Sequence, residues 1–296
     1  MLRRTASVLL AVVVVAGAAA CGSDGEGGSD GRLRIVAGFY PLEWMAASVG
    51  GPHVEVESLA TGGQEPHDLE LAPRDVAALV DADAVVYLSG FQPAVDEAID
   101  QAEPERVFDA APSADLDRVD DEGTADPHFW LDPVRLRAVT RAFARFLSEA
   151  DPTHAREYAA GRDEVDAKLA ALDADLREVL ASCERDQLVT SHDAFGYLAT
   201  RYGMTQVGIS GLTPEAEPSP ADLAEVTRFV EDHDVRTFYF ASLVGPDIAE
   251  ALASETGART AVLDPIEGLT ESSAGDDYLA VMRANLASLR TGQPCP

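Results

Sequence analysis

The sequence predicts an α/β fold of two lobes, each built on a parallel sheet, joined by one long α-helix. Three observations carry this expectation. From Arg32 onward, short runs rich in β-branched residues alternate with stretches of helical periodicity, the pattern of βαβ units. Of the 296 residues, the 276 that follow residue 20 are more than a single core ordinarily organises, so two lobes are expected. Finally, Thr153 to Ser182 runs without a proline, and Val165, Leu169, Leu172, Leu176, Val179 and Leu180 recur there at steps of three and four, on one helical face.

In the first lobe, residues 32–150, strands are expected at Leu33 to Gly38, Val54 to Leu59, Ala84 to Leu88 and Val107 to Phe108. Helices are expected around Pro41 to Val49, Pro73 to Ala82, Pro93 to Ala102 and Pro133 to Glu149. Asp151-Pro152 has the N-cap and first-turn chemistry of a new helix, so a linking helix is expected over residues 151–183. A helix of about 30 residues extends roughly 45 Å, which makes it a stiff spine and limits closure of one lobe on the other. In the second lobe, residues 184–296, strands are expected at Gln187 to Thr190, Thr205 to Ile209, Thr237 to Phe240 and Thr260 to Leu263. Its helices are expected at Ala194 to Tyr202, Pro220 to His233, Pro246 to Thr256 and Tyr278 to Arg290.

Before the first lobe, Arg3 and Arg4 precede the apolar run Val8 to Val15 and the small-residue stretch Ala16 to Ala20, which reads as a signal peptide over residues 1–20. The run is shorter than the roughly 20 apolar residues a membrane span needs. Cys21 directly follows Ala-Ala-Ala, and this resembles a lipobox whose cysteine is lipidated after cleavage, although Ala18 stands where leucine is more usual. Residues 22–31, GSDGEGGSDG, contain no apolar side chain, so residues 21–31 are expected to form a lipidated anchor and a flexible tether. Without Arg3 and Arg4 the 22 basic residues fall to 20 against 52 acidic ones, a formal charge of −32. Such an acidic balance argues against nucleic acid, since phosphate binding needs a basic surface. With Cys21 assigned to lipid, Cys183 and Cys295 remain, and in an oxidising compartment they are expected to pair; two free thiols are the alternative.

Ligands of open parallel sheets bind beyond the carboxyl ends of the strands. Three of the six histidines fall in such strand-to-helix segments: His67 in Gly-Gly-Gln-Glu-Pro-His-Asp, His128 in Asp-Pro-His-Phe-Trp-Leu-Asp-Pro and His192 in Thr-Ser-His-Asp. Asp264, which ends the strand Thr260 to Leu263, is a fourth candidate, and Glu65 is an alternative oxygen donor. Three imidazoles and one carboxylate suit a tetrahedral zinc ion. The wide sequence separations form no local signature, however, and any one of these histidines read alone is more often structural. His53, His154 and His233 are read as exposed.

The segments Gly38-Phe-Tyr-Pro-Leu42, Pro66-His-Asp-Leu-Glu-Leu-Ala-Pro73, Asp126-Pro-His-Phe-Trp-Leu-Asp-Pro133, Ser191-His-Asp-Ala-Phe-Gly-Tyr197 and Leu263-Asp-Pro265 resemble the metal-binding lipoproteins of ABC importers. This is the zinc and manganese solute-binding family that includes ZnuA-like and TroA-like proteins, and the similarity runs over residues 32 to 290. The resemblance implies a two-lobed α/β fold with a linking helix, metal binding by His67, His128 and His192 with Asp264 completing the sphere, and no enzymatic activity. It further implies an ABC importer permease as partner, a lipid-anchored place on the outer face of the cell membrane, and a monomer. Manganese-type members tend to carry glutamate at the place of His192, so Zn2+ is the expected cargo, with Mn2+ or Fe2+ as alternatives. A zinc-dependent hydrolase and a surface adhesin are the competing classes. The chain departs from many zinc members in two places. Ala114 to Asp126 is acidic where they carry a His-rich loop, and Ala241 stands where the family often has a carboxylate.

Overall fold

The computed structural model describes residues 31–120, 123–214, 218–243 and 245–296. The expected signal peptide, Cys21 and most of the tether lie outside these residues, as do Asp121 and Glu122 of the acidic loop.

Two four-stranded, all-parallel sheets organise the chain. The first contains β1 (Leu33–Ala37), β2 (Val54–Ser58), β3 (Ala84–Tyr87) and β4 (Val107–Asp109), ordered β2-β1-β3-β4. Its crossovers are α1 (Tyr40–Gly50), α2 (Pro73–Asp81) and α3 (Pro93–Ala102), and the short α4 (Ala111–Ala114) follows β4. α5 (Pro133–Ala150) then begins at Asp132, whose side chain accepts from the Val134 N–H with Pro133 in the first turn, a standard N-terminus.

The linking helix is shorter than expected. Asp151 accepts from the Thr153 N–H and starts a 3-10 turn, Pro152–His154, and only then does α6 (Ala155–Leu180) run for 26 residues, about 39 Å. Its buried face is Tyr158, Val165, Leu169, Leu172, Leu176 and Leu180, with Val179 half-buried. This stripe packs against α1, α5 and the final helix of the chain. At the crossing with α1 a side chain on Gly161 would run into the Val49 carbonyl oxygen, so only glycine permits this approach.

β5 (Gln187–Thr190), β6 (Thr205–Gly208), β7 (Thr237–Phe240) and β8 (Arg259–Val262) form the second sheet, ordered β6-β5-β7-β8. They alternate with α7 (Gly196–Tyr202), α8 (Pro220–Asp232), α9 (Asp247–Thr256) and α10 (Tyr278–Gly292). The Cys183–Cys295 disulfide ties the end of the spine to the C-terminus. The two lobes do not keep wholly separate cores: one apolar cluster runs from Ile35 and Val85 through Leu169 and Leu176 to Leu188, Leu263 and Met282. Among the described residues, a separate cluster lies on the far side of the second lobe, around Val189, Val226, Val230 and Phe238. His53 and His154 are not fully exposed either; their rings stack 3.9 Å apart where β2 begins beside the start of α6, and His154 Nδ1 bonds to Asp151.

Candidate metal centre

In each sheet the strand order reverses beside β1 or β5, and such a switch point opens a crevice at the carboxyl ends of the strands. The loops after β2, after α4, after β5 and after β8 meet there. They bring together His67, His128, His192 and Glu267, each offering one donor atom, and these atoms all lie within 4.8 Å of one another.

Each imidazole is set by its own segment. His67 follows Pro66, whose carbonyl accepts from Gln92 Nε2 at 3.3 Å, and the same amide nitrogen donates to the Gly38 carbonyl at 3.2 Å. Gln92 is fully buried, so its amide ties the end of β1 to the His67 loop. A Cβ on Gly38 would stand 2.7 Å from Gln92 Oε1, which explains the glycine. The His67 N–H donates to Glu65 Oε1 at 3.2 Å. His128 is completely buried; its backbone N–H and its Nδ1 both donate to Asp126 Oδ1, at 3.0 and 2.9 Å. Asp126 is itself held by Arg118 Nε at 3.3 Å and, through its carbonyl, by Tyr197 OH at 3.0 Å. His192 lies two residues beyond the end of β5, and its carbonyl accepts from Thr190 Oγ1 and Gln206 Nε2. Phe91 packs edge-on to His67 and Trp130 lies 5.2 Å from His128, so the centre has an apolar wall that excludes water.

At the middle of the group stands one oxygen. Glu267 Oε1 lies 3.4 Å from His67 Nε2, 3.1 Å from His128 Nε2 and 3.3 Å from His192 Nε2. Neighbouring ligands on a tetrahedral zinc with arms of about 2.0–2.1 Å are themselves about 3.3–3.4 Å apart, so these separations match the edges of such a coordination shell. Glu267 is only 1% exposed, and a buried carboxylate requires a proton, a cation or a metal beside it. Burial works to raise its pKa, but hydrogen bonds from His128, His192 and His67 hold it well below the ordinary carboxylate value. At His128 burial works to lower the pKa; the hydrogen bonds to Asp126 and Glu267 outweigh it and raise the imidazole to about 9. Burial prevails at His67, whose pKa is lowered despite Glu267. The Asp126 and Glu267 carboxylates thus favour the protonated His128 imidazole, a positive charge beside Glu267.

The fourth ligand position corrects the sequence reading. Asp264 does not join the group: its Oδ2 accepts from Ser242 Oγ and its Oδ1 from the Ile266 N–H, both at 2.7 Å. Its backbone is clamped by Asn285, so the Asp264 side chain is committed to the turn after β8 while Glu267, three residues on, reaches the imidazoles. Glu65, the other oxygen the sequence offered, is also outside the group. The rule that found the histidines, a donor in a loop after a strand, applied equally to Glu267, but a sequence cannot say which of two acids three residues apart turns inward. Gln92 and Asp126 were missed for a similar reason: their roles depend on contacts that no local pattern encodes.

The family model for "Zinc-uptake complex component A periplasmic" (ZnuA) matches residues 35–292. The chain is 33% identical over 295 residues to the high-affinity zinc uptake system protein ZnuA of Bacillus subtilis, covering 92% of each. It is 33% identical over 289 residues to the zinc-binding protein AdcA of Streptococcus pyogenes, covering 88% of this chain but only 56% of that relative. Among solved structures, Zn(II)-bound AdcA of Streptococcus pneumoniae superposes with a TM-score of 0.78 at 35% identity, covering 89% of this chain and 58% of that one. The laminin-binding protein Lmb of Streptococcus agalactiae, named as bifunctional with adhesin and metal transporting activity, superposes with a TM-score of 0.82 at 34% identity, over 88% and 99% of the two chains. With the fold, the linking helix and a match over nearly the whole described chain in agreement, the protein belongs to the ZnuA family of zinc-uptake complex component A proteins.

Proposed function

We propose that this protein captures one Zn2+ outside the cytoplasm and hands it to the permease of an ABC importer. The observation that carries the reading is the single carboxylate oxygen of Glu267 ringed by three imidazole nitrogens at 3.1 to 3.4 Å. His67, His128 and His192 supply borderline-soft nitrogen through Nε2, and Glu267 supplies charge compensation, a donor set suited to zinc over manganese. Side chains fill all four positions of a tetrahedron, whereas a zinc hydrolase keeps one open for water. Zinc is thus cargo, and the protein works by binding and release without catalysis. Asp126 orients His128 and raises its basicity, the usual service of a carboxylate behind a metal-binding imidazole. The zinc-uptake names of the relatives support the same assignment. A monomer tethered through a lipid on Cys21 fits a carrier that must stay near its permease.

Metal analysis by mass spectrometry on protein purified without added metal, followed by Zn2+ and Mn2+ competition, tests the reading. One zinc per chain, retained against excess manganese, is expected; tighter manganese binding would overturn the choice of cargo.

A further inference from the structure

Asp264 lost its expected place among the ligands, yet it is buried, and both of its oxygens are engaged. We infer that Asp264 is a positioning residue for zinc capture: it locks the turn Asp264-Pro265-Ile266-Glu267 in a strained shape that delivers the Glu267 carboxylate to the three imidazoles. This inference rests on the zinc-binding reading above.

The strain is visible in the backbone. Among the described residues only Glu103, Asp115, Asp234 and Ile266 have positive φ without being glycine. Three are acidic residues in loops or at helix ends. Ile266, at φ +59°, is β-branched and fully buried, and the left-handed region is one that β-branched residues rarely enter. Such a conformation persists only where the surroundings over-determine it. Here they do. Asp264 Oδ1 accepts the Ile266 N–H at 2.7 Å, which fixes the unusual residue from two positions upstream. Ser242 Oγ donates to Asp264 Oδ2 at 2.7 Å and holds the carboxylate in that orientation. Asn285 of α10 accepts from the Asp264 N–H and donates to the Asp264 carbonyl. Across the crevice, Trp130 Nε1 donates to the Pro265 carbonyl at 2.7 Å, and Tyr278 OH donates to the Trp130 carbonyl. Trp130 lies two residues after His128, and Pro265 two residues before Glu267. One buried hydrogen bond therefore fixes the segments carrying a ligand from each lobe against one another.

The side chain at position 264 needs an acceptor for the Ile266 N–H and a partner for Ser242, and it needs no negative charge. Asparagine meets both needs, since its oxygen can accept from Ile266 and its amide can donate to the Ser242 hydroxyl, which reverses its role. Alanine meets neither and leaves a buried N–H without a partner.

The test compares Asp264→Ala, Asp264→Asn and Glu267→Gln with the unmodified chain. Zinc affinity is read by chelator competition, coordination by the visible absorption of the Co2+ form, and folding of the metal-free protein by circular dichroism. Removing a group that orients a ligand typically costs about 10–100-fold in metal affinity, so Asp264→Ala should fall by that much with an altered Co2+ spectrum, whereas Asp264→Asn should stay within about threefold with the spectrum kept. If Asp264→Asn falls with Asp264→Ala and Glu267→Gln, the charge of Asp264 acts on the ion itself and the inference is wrong. It is equally wrong if Asp264→Ala binds like the unmodified chain. Should Asp264→Ala not fold, Ser242→Ala takes its place: a fall in zinc affinity with an altered Co2+ spectrum supports the positioning role, and unchanged affinity overturns it. An unmodified chain that takes up no zinc, or a His192→Ala variant that keeps full affinity, would instead sink the zinc reading.

Discussion

In the first lobe, the sheet β2-β1-β3-β4 buries its apolar side chains in a core that continues without a break into the spine α6 and on to α10. The second lobe repeats the strand order as β6-β5-β7-β8, but its core is divided: Leu188, Tyr239 and Leu263 belong to the shared cluster, whereas Val189, Val226, Val230 and Phe238 form a separate one beneath α8 and α9. Each lobe gives two side chains to the centre, His67 and His128 from the first, His192 and Glu267 from the second. The part of the second lobe that carries His192 and Glu267 is thus continuous with the shared core, and its far face is not. Repeating a topology does not repeat its stability; the core to which each face is joined decides that.

The largest expected effect probes the equality of the lobes at the centre. His128→Ala and His192→Ala remove one imidazole from each side, and each should reduce zinc affinity by more than the roughly 100-fold upper range for groups that merely orient a ligand. Saturating zinc at about 1,000 times its dissociation constant should stabilise the unmodified protein by about 4 kcal/mol, and at the same zinc concentration this gain should fall to about 1.4 kcal/mol or less in both variants. Thermal melts with and without zinc measure it. A variant of one lobe that keeps the gain would show that the ion is held by the other lobe alone.

A second difference is covalent. The Cys183–Cys295 bridge closes a loop of 112 residues and encloses only the second lobe. Replacing both cysteines with serine should cost about 2–4 kcal/mol in chemical denaturation. The loss should appear as earlier opening of the second lobe, with α1 and α5 keeping their protection from hydrogen exchange; uniform loss of protection would show that the lobes unfold as one unit.

Much of this was legible in the sequence, for physical reasons that also mark where legibility ended. Runs rich in β-branched residues and the period-3.6 pattern located the eight strands of the described residues, and the longer helices apart from the linking helix, to within a residue or two, because burial leaves such patterns in the chain. The four-residue helix α4 and the 3-10 turns were not anticipated, being too short to show a period. His67 and His192 could be picked out because they stand in loops beyond strand ends, and His128 because it precedes the start of a helix. Glu267 could not be told from Asp264, because the choice is made by the backbone at Ile266 and by Ser242, Asn285 and Trp130, residues far apart in the chain. The expectation of two lobes was met in the sheets but not in the cores, since where one apolar cluster runs into another depends on tertiary contact.

Protons supply the next effect. His128 is raised to about 9 from the ordinary imidazole value of 6.5, so its pairing with Glu267 stabilises the metal-free fold fully below pH 6.5 and is lost as the pH rises through about 9. Glu267 is depressed, so its contribution is present above the ordinary carboxylate value and lost as the pH falls through the lowered one. These are two views of one ion pair. Zinc must displace the His128 proton, so apparent affinity should rise about tenfold, or ~1.4 kcal/mol, per pH unit between roughly pH 7 and 9. Calorimetry in buffers of different ionisation enthalpy should find one proton released per zinc near pH 8; no release would mean that His128 is already neutral there.

The smallest effect tests the independence of the far face. α8 begins in a capping box, with Ser219 Oγ accepting from the Asp222 N–H and Asp222 Oδ2 accepting from the Ser219 N–H. Ser219→Ala removes one of those bonds and should cost about 1 kcal/mol of helix stability. Because α8 buries Val226 and Val230 in the separate cluster, the cost should be felt by α8 and α9 through local opening, seen as faster amide exchange there. Zinc affinity should not change, since the centre belongs to the other core. A change in affinity from this substitution would mean that the divided core of the second lobe is mechanically one, and that the far face takes part in holding the ion.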